Sequence, residues 1–231
     1  MDFKNFNFKN VLGQEKRQFA VIGLGRFGRA VCGTLHKAGY DVLATDIDEK
    51  LVAQALLDKI ASHAIQLDST DVSALKEAGI LEIDTVIVAI GNFLEESIVT
   101  TLNVKEAGVG QVIAKASSEV HGKLLKRVGA DLVVFPEYDA GCALARNLTK
   151  PAILDRFDLD PNSSIVEIKV PEEFHGKTLL DLQLRNRYGL SVLAIGRGDK
   201  FEINPAPQTI LNKDSAMVVI GSNKDINRLP I

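Results

Sequence analysis

Apolar residues in this chain fall into short runs separated by polar stretches that often end in glycine. Residues 18–23 (QFAVIG) form a brief apolar run ending in Gly23 and predict a buried strand. Residues 26–38 read as a helix closed by Gly39. DVLATD, residues 41–46, is a second strand, and Asp48 is placed to cap a helix reaching about Ile60. AIQLD is a third strand ending at Asp68, followed by a helix over 71–78 closed by Gly79. TVIVAIG, residues 85–91, is a fourth strand, after which Asn92 is placed to cap a helix to Ala107. QVIAKA (111–116) and DLVVF (131–135) are the fifth and sixth strands. A helix over 118–128, closed by Gly129, joins them, and Pro136 suits the first turn of a last helix to Lys150.

Strands that alternate with helices through short turns imply an α/β fold with a parallel sheet covered on both faces. Right-handed crossovers make it a doubly wound, Rossmann-type sheet. The rhythm changes at Pro151. SIVEIKV, residues 164–170, alternates apolar and polar residues, as a strand with one wet face does. TLLDLQLRNRYG reads as one helix ending at Gly189. LSVLAIGRG, KFEIN and SAMVVIG read as strands, and KDINRL as a short final helix. The division is therefore an N-terminal extension over 1–17, a first domain over 18–150 and a smaller α+β domain over 151–231. The extension carries Phe3, Phe6 and Phe8, and reads either as a tail or as a docking arm for a partner.

Composition removes several classes of function. Of 231 residues, 46% are hydrophobic and 25% charged, which is ordinary for a globular chain. Lys and Arg total 27 against 30 Asp and Glu, so the net charge is −3. Up to Lys150 the chain has 17 basic and 19 acidic residues, and beyond it 10 and 11, so neither part is basic. That argues against a nucleic-acid partner. Cys32 and Cys142 stand far apart with no CxxC pattern, which fits neither a metal framework nor a disulfide scaffold. No apolar run approaches the roughly 20 residues that span a bilayer. These features point to a cytoplasmic chain.

Gly23-Leu24-Gly25-Arg26-Phe27-Gly28 matches GxGxxG between a predicted strand and a predicted helix, the setting in which that pattern binds phosphate. Gly23 permits a tight turn, Gly25 lets backbone approach a pyrophosphate, and Gly28 lets helix and strand pack closely. The helix start offers free N–H groups and partial positive charge. Asp46 ends the second strand 23 residues after Gly23. A carboxylate there accepts from both ribose hydroxyls and repels a 2′-phosphate, which favours NAD or an adenosine nucleotide over NADP. Ile47 and Asp48 follow it. Arg26 would meet distal phosphates, or be a solvated first-turn residue. Asp68, with Ser69 beside it, would receive an adenine amino group or cap a helix. Ala89, Ile90, Gly91 and Asn92 lie where ligands bind in such sheets. Lys115 and Glu137 share that edge. By spacing alone Glu137 favours a helix-stabilising role over ligation of a divalent cation.

No reacting constellation accompanies this site. His36, His63, His121 and His175 sit in no acid–base arrangement, and GxSxG, HExxH and GxxxxGK[ST] are missing from the sequence. The 81 residues after Lys150 are few for a dehydrogenase substrate domain. A module that senses a nucleotide fits better than one that consumes it.

FAVIGLGRFG, ATDID, VIVAIG and VGADLVVFPEYDAG resemble the KtrA/TrkA family of regulator-of-K⁺-conductance (RCK) proteins, with the KtrA branch the better match. SIVEIKV, LLDLQLRNRYGLSVLAI, NPAP and SAMVVIG resemble the family's C-terminal domain, so the likeness covers residues 18–229. It implies a regulatory, non-enzymatic subunit of a K⁺ uptake system. Such chains form homodimers that assemble into a homo-octameric ring at the inner face of the plasma membrane, under a K⁺-translocating subunit of the KtrB/TrkH kind. ATP favours the conducting state and ADP the closed one, and some members bind NAD(H). Carried over, Gly23, Gly25 and Gly28 form the phosphate loop, Asp46 holds ribose and Arg26 reaches terminal phosphates across a dimer interface. Lys115 lies near the site. Glu137 helps hold Mg²⁺ or another divalent cation, a role the resemblance raises above the helix-stabilising one. The helix from Pro136, with Ala140, Ala143, Leu144 and Leu148, becomes a dimer crossover. Arg185, Asn186 and NPAP fall where some relatives bind cyclic di-AMP. An NAD-dependent oxidoreductase and an RCK regulator of a K⁺ efflux system or channel are the alternatives.

Overall fold

The computed structural model describes residues 17–149, 151–198 and 200–231. The three phenylalanines of the N-terminal extension lie outside them. Two compact units divide the chain, the first ending at Asp139 and the second starting at Ala140.

The first unit is the α/β domain. Its strands are β1 (Gln18–Ile22), β2 (Asp41–Asp46), β3 (His63–Gln66), β4 (Thr85–Val88), β5 (Gln111–Lys115) and β6 (Leu132–Val134), all parallel, in the order β3-β2-β1-β4-β5-β6. Between them run α1 (Arg26–Lys37), α2 (Glu49–Leu57), α3 (Val72–Glu77), α4 (Leu94–Glu106) and α5 (Glu119–Arg127), and α6 (Pro136–Thr149) follows β6. Alternate residues of β1 explain the two covered faces. Ala20 and Ile22 pack with Leu75 of α3, Val104 of α4 and Leu125 of α5. Val21 packs the other way, with Cys32 of α1 and Val52 and Ala55 of α2. Burial pushes the Cys32 thiol up to about 12, so it behaves as a small apolar group.

Several boundaries differ from the sequence reading. The third strand stops at Gln66, so Asp68 stands in the following turn and Asp71, not Asp68, caps α3. An Asx turn explains the difference, because Asp68 Oδ1 accepts from Thr70 N–H at 2.9 Å and Thr70 Oγ1 at 2.7 Å. Helix α2 ends at Leu57, short of Ile60, and Lys59 takes a φ of 52°. Phe93, not Asn92, occupies the cap position of α4.

The second unit is a five-stranded antiparallel sheet in the order β10-β9-β11-β8-β7. It comprises β7 (Ile153–Asp160), β8 (Ser163–Lys169), β9 (Ser191–Arg197), β10 (Lys200–Ile203) and β11 (Ala216–Ser222). Strand β7 was not anticipated, because its exposed residues (Leu154, Asp155, Phe157, Asp158, Leu159) lack a clean period of two. The expected single helix is broken into α7 (Leu179–Leu182) and α8 (Leu184–Tyr188) by Gln183 at φ 45° and ψ 43°. That break turns both Leu182 and Leu184 into the core beside Val166, Ile168, Met217 and Val219. A capping box on Thr178 and Asp181 starts α7, and α9 (Asn223–Ile226) follows β11.

Candidate functional site

Parallel strands that share one direction end on one edge, and here that edge is concave. A cavity of about 830 Å³ lies over the C-terminal ends of the first unit's strands. Volumes of this size take drug-sized ligands. The glycine-rich loop 23–28 forms its floor. Gly23 has φ 101°, donates its N–H to Thr45 O at 2.7 Å, and would place a Cβ 3.1 Å from the Ala89 carbonyl carbon. Only glycine fits that turn. A Cβ on Gly25 meets nothing within 4 Å, so the backbone at the start of α1 stands open to a ligand. Gly28 is buried, and a Cβ there would overlap the Gly23 carbonyl oxygen.

Asp46 organises the loop as well as facing the cavity. Its Oδ2 accepts the Leu24 N–H at 2.6 Å and its Oδ1 the Asp48 N–H at 2.9 Å. A carboxylate retains further acceptor capacity for ribose hydroxyls. Asp48 is also committed locally, since its Oδ1 accepts from Lys50 N–H and caps α2. The Asx turn holds the Asp68 carboxyl below the usual carboxylate range, so it is ionised near neutrality. Ser69 is buried and its hydroxyl pairs with Thr100 Oγ1 at 2.7 Å.

The other half of the cavity carries cations. Arg26 is exposed on the first turn of α1. Lys115 Nζ donates to Glu137 Oε1 at 2.6 Å, and this bond is the main reason the Glu137 carboxyl lies below its ordinary range. Among the described residues, no cluster of His, Cys, Asp or Glu is large enough to hold a metal unaided.

The cavity wall brings together Gly23, Gly25, Arg26, Phe27, Asp46, Ile47, Asp48, Asp68, Ser69, Ala89, Ile90, Gly91, Asn92, Lys115 and Glu137. Leu24 and Gly28 are absent from the wall because both are buried beneath it. Sequence reasoning missed Ile22, Leu51, Leu67, Phe93 and Glu96, which also line it. Phe93 directly follows Asn92 and is 61% exposed, a signal that an aromatic waits at the cavity rim. Among the described residues, no histidine lines the cavity. Arg185 and Asn186 lie on α8 of the second unit, and residues 204–207 follow β10. Leu144 and Leu148 of α6 are 61% and 73% exposed.

Comparison with known proteins places this geometry. The TrkA-N domain family matches residues 19–136 and the TrkA-C domain family residues 165–229. The Ktr system potassium uptake protein C of Bacillus subtilis (strain 168) is 44% identical, over 92% of this chain and 96% of that one. The Ktr system potassium uptake protein A of the same organism is 39% identical, over 93% and 96%. A solved structure of the GsuK channel bound to NAD shares the fold, with a TM-score of 0.64 at 20% identity. It covers 93% of this chain, which corresponds to 39% of that longer one. With a glycine-rich loop, an acidic strand end and both domains matched in order, the chain belongs to the TrkA-N/TrkA-C family of RCK proteins, alongside the Ktr potassium uptake proteins.

Proposed function

We propose that this chain is the nucleotide-sensing regulatory subunit of a K⁺ uptake system, and that it gates transport rather than performing catalysis. The observation that carries the reading is the make-up of the cavity. It has a phosphate loop on an open helix start, a ribose-facing carboxylate at Asp46 and cations at Arg26 and Lys115, with no histidine to move a proton. An oxidoreductase would need an acid and an anion clamp for a substrate carbonyl.

ATP or ADP is the favoured ligand, with NAD(H) second, because Arg26 and Lys115 together suit distal phosphates of high charge. Glu137 supplies one carboxylate. A hard divalent cation such as Mg²⁺ beside phosphates needs only one or two, so the residues fit it. The ion would neutralise phosphate charge when bound. Asp46 would orient the ribose, the amides at the start of α1 the inner phosphates, and Arg26 the outermost one.

Gating then follows from population shift. ATP favours one assembly geometry over another only by binding it more tightly. The exposed Leu144 and Leu148 of α6 support a homodimer along that helix, within a larger octameric ring beneath a membrane K⁺-translocating partner. Among the described residues no helix is long and apolar enough to cross a membrane. A cyclic dinucleotide on the second unit is a subsidiary reading, supported by Arg185 and Asn186 on α8.

Thermal-shift and calorimetric titrations with ATP, ADP, NADH and cyclic di-AMP, with and without Mg²⁺, test the ligand. K⁺ flux through vesicles holding a Ktr-type membrane subunit tests the role. ATP-dependent flux supports the proposal, and turnover of a nicotinamide cofactor without any effect on flux overturns it.

A further inference from the structure

The phosphate half of the cavity holds two opposite charges of unequal freedom. The Lys115 side chain is 12% exposed, whereas that of its partner Glu137 is 70% exposed. The ammonium lies 6.0 Å from the centroid of the Phe27 ring, within cation–π range. It also crosses Gly91, where an added Cβ would stand 2.8 Å from Nζ. Lys115 is thus confined between an aromatic of the phosphate loop and the turn after β4. Glu137 faces solvent and can swing away at little cost.

An enclosed ammonium requires an anion, because desolvating an unpaired charge is costly. In this structure Glu137 is that anion. A nucleotide on the phosphate loop brings oxygens of higher charge to the same wall. The confined lysine stays, and the solvated carboxylate gives up the ammonium and is free to meet a cation beside the phosphates.

We propose that Glu137 is a placeholder anion on Lys115, and that the phosphates of a bound nucleotide displace it. The proposal rests on the nucleotide reading above and adds how phosphate is sensed. Lys115 ends β5 and Glu137 lies in the first turn of α6, the helix that leads the chain into the second unit. Breaking their ion pair removes a tether at the start of that helix. Adenosine has no phosphate and leaves the tether intact.

The test uses the full chain in chelator-treated, metal-free buffer. Adenosine, ADP and ATP are titrated by calorimetry against wild type, Glu137→Gln, Lys115→Met and the double variant. Charge-assisted hydrogen bonds of this kind set the expected scale. Glu137→Gln removes the competing anion and tightens ADP and ATP by about 3–10-fold, leaving adenosine unchanged. Lys115→Met weakens ADP and ATP by about tenfold or more, again sparing adenosine. In the double variant the gain from Glu137→Gln disappears, because there is no ammonium to liberate.

Unchanged or weaker ADP binding in Glu137→Gln overturns the proposal. So does a gain that survives Lys115→Met. Binding of all three ligands without these effects removes the placeholder alone. Binding of none to the wild type removes the nucleotide reading with it.

Discussion

Two glycines of the phosphate loop should fail in opposite ways when replaced by alanine. At Gly28 an added Cβ would overlap the Gly23 carbonyl oxygen, with the Gly23 carbonyl carbon at 3.0 Å and the Ala89 Cβ at 3.2 Å. Gly23 has no room to retreat. Its N–H is bonded to Thr45 O at 2.7 Å, and Ala89 N–H holds Ile22 O at 2.7 Å just beside it. Relief therefore means parting α1 from β1. Overpacking of this kind costs about 1–3 kcal/mol, and a lost backbone hydrogen bond about 1 kcal/mol more. A fall in Tm on the order of 5–15 °C follows for a chain of this size. At Gly25 an added Cβ meets nothing within 4 Å and φ is −65°, so the fold tolerates it. The methyl instead occupies the space a pyrophosphate needs. Gly25→Ala should keep its Tm within a few degrees and lose at least about tenfold in nucleotide affinity, or about 1.4 kcal/mol. Scanning calorimetry of the transition that ligand shifts, paired with ADP titration, reads both. A Gly28→Ala chain as stable as wild type would refute the packing argument, and full ADP affinity in Gly25→Ala would refute the placement of the phosphates.

Three other substitutions probe separate parts of the argument. Arg26→Ala is expected to erase most of the preference for ATP over ADP and to spare adenosine. Calorimetry showing equal loss of both nucleotides would remove its role at the outer phosphate. Asp46→Asn should weaken every ribose-bearing ligand and destabilise the first unit by about 1–3 kcal/mol, since the Leu24 and Asp48 N–H groups go to different carboxylate oxygens and Asn replaces one of them with an NH₂ donor. Unchanged NAD and ATP affinities would count against the ribose contact. His121 is fully buried, its Nε2 has no partner and burial lowers its pKa from 6.5. The unfolded chain then takes up the proton first, so the stabilising contribution is complete above about pH 6.5 and is lost as pH falls through the folded value. Denaturant melts at pH 7.5 and 5.5 should show that loss in wild type and a flatter profile in His121→Gln; identical profiles would show that the imidazole is not the group responsible.

The first unit was legible because its signals are local. A buried parallel strand is an apolar run with no alternation, and a glycine with positive φ marks a helix end, as at Gly39, Gly79 and Gly129. Strand β2 was read to the residue for this reason. The second unit was less legible. Gln183 has no glycine-like signature, yet the core holds it in a left-handed conformation, because only a break there buries Leu182 and Leu184 together. Edge strand β7 has one strand neighbour, β8, and leaves much of its side-chain surface in solvent, so packing imposes little pattern on its sequence.

The site divides in the same way. Its glycine-rich loop and Asp46 are set by sequence alone, because a glycine pattern after a strand and an acid at the next strand's end follow from chain geometry. The cap of α2 by Asp48 was also legible in the sequence, whereas the fold decided Asp68, which turns on Thr70 rather than capping α3. The apolar wall of Leu51, Leu67 and Phe93 appears only when α2, the β3 turn and the start of α4 converge. The pairing of Lys115 with Glu137 could not be read from residues 22 apart. It exists because parallel strands end on one edge and Phe27 and Gly91 confine the ammonium there. Sequence determined which groups could meet a nucleotide, since those groups sit at strand ends wherever such a sheet forms. Tertiary structure decided which of them are already paired, because pairing depends on distances between elements that the chain joins only through folding.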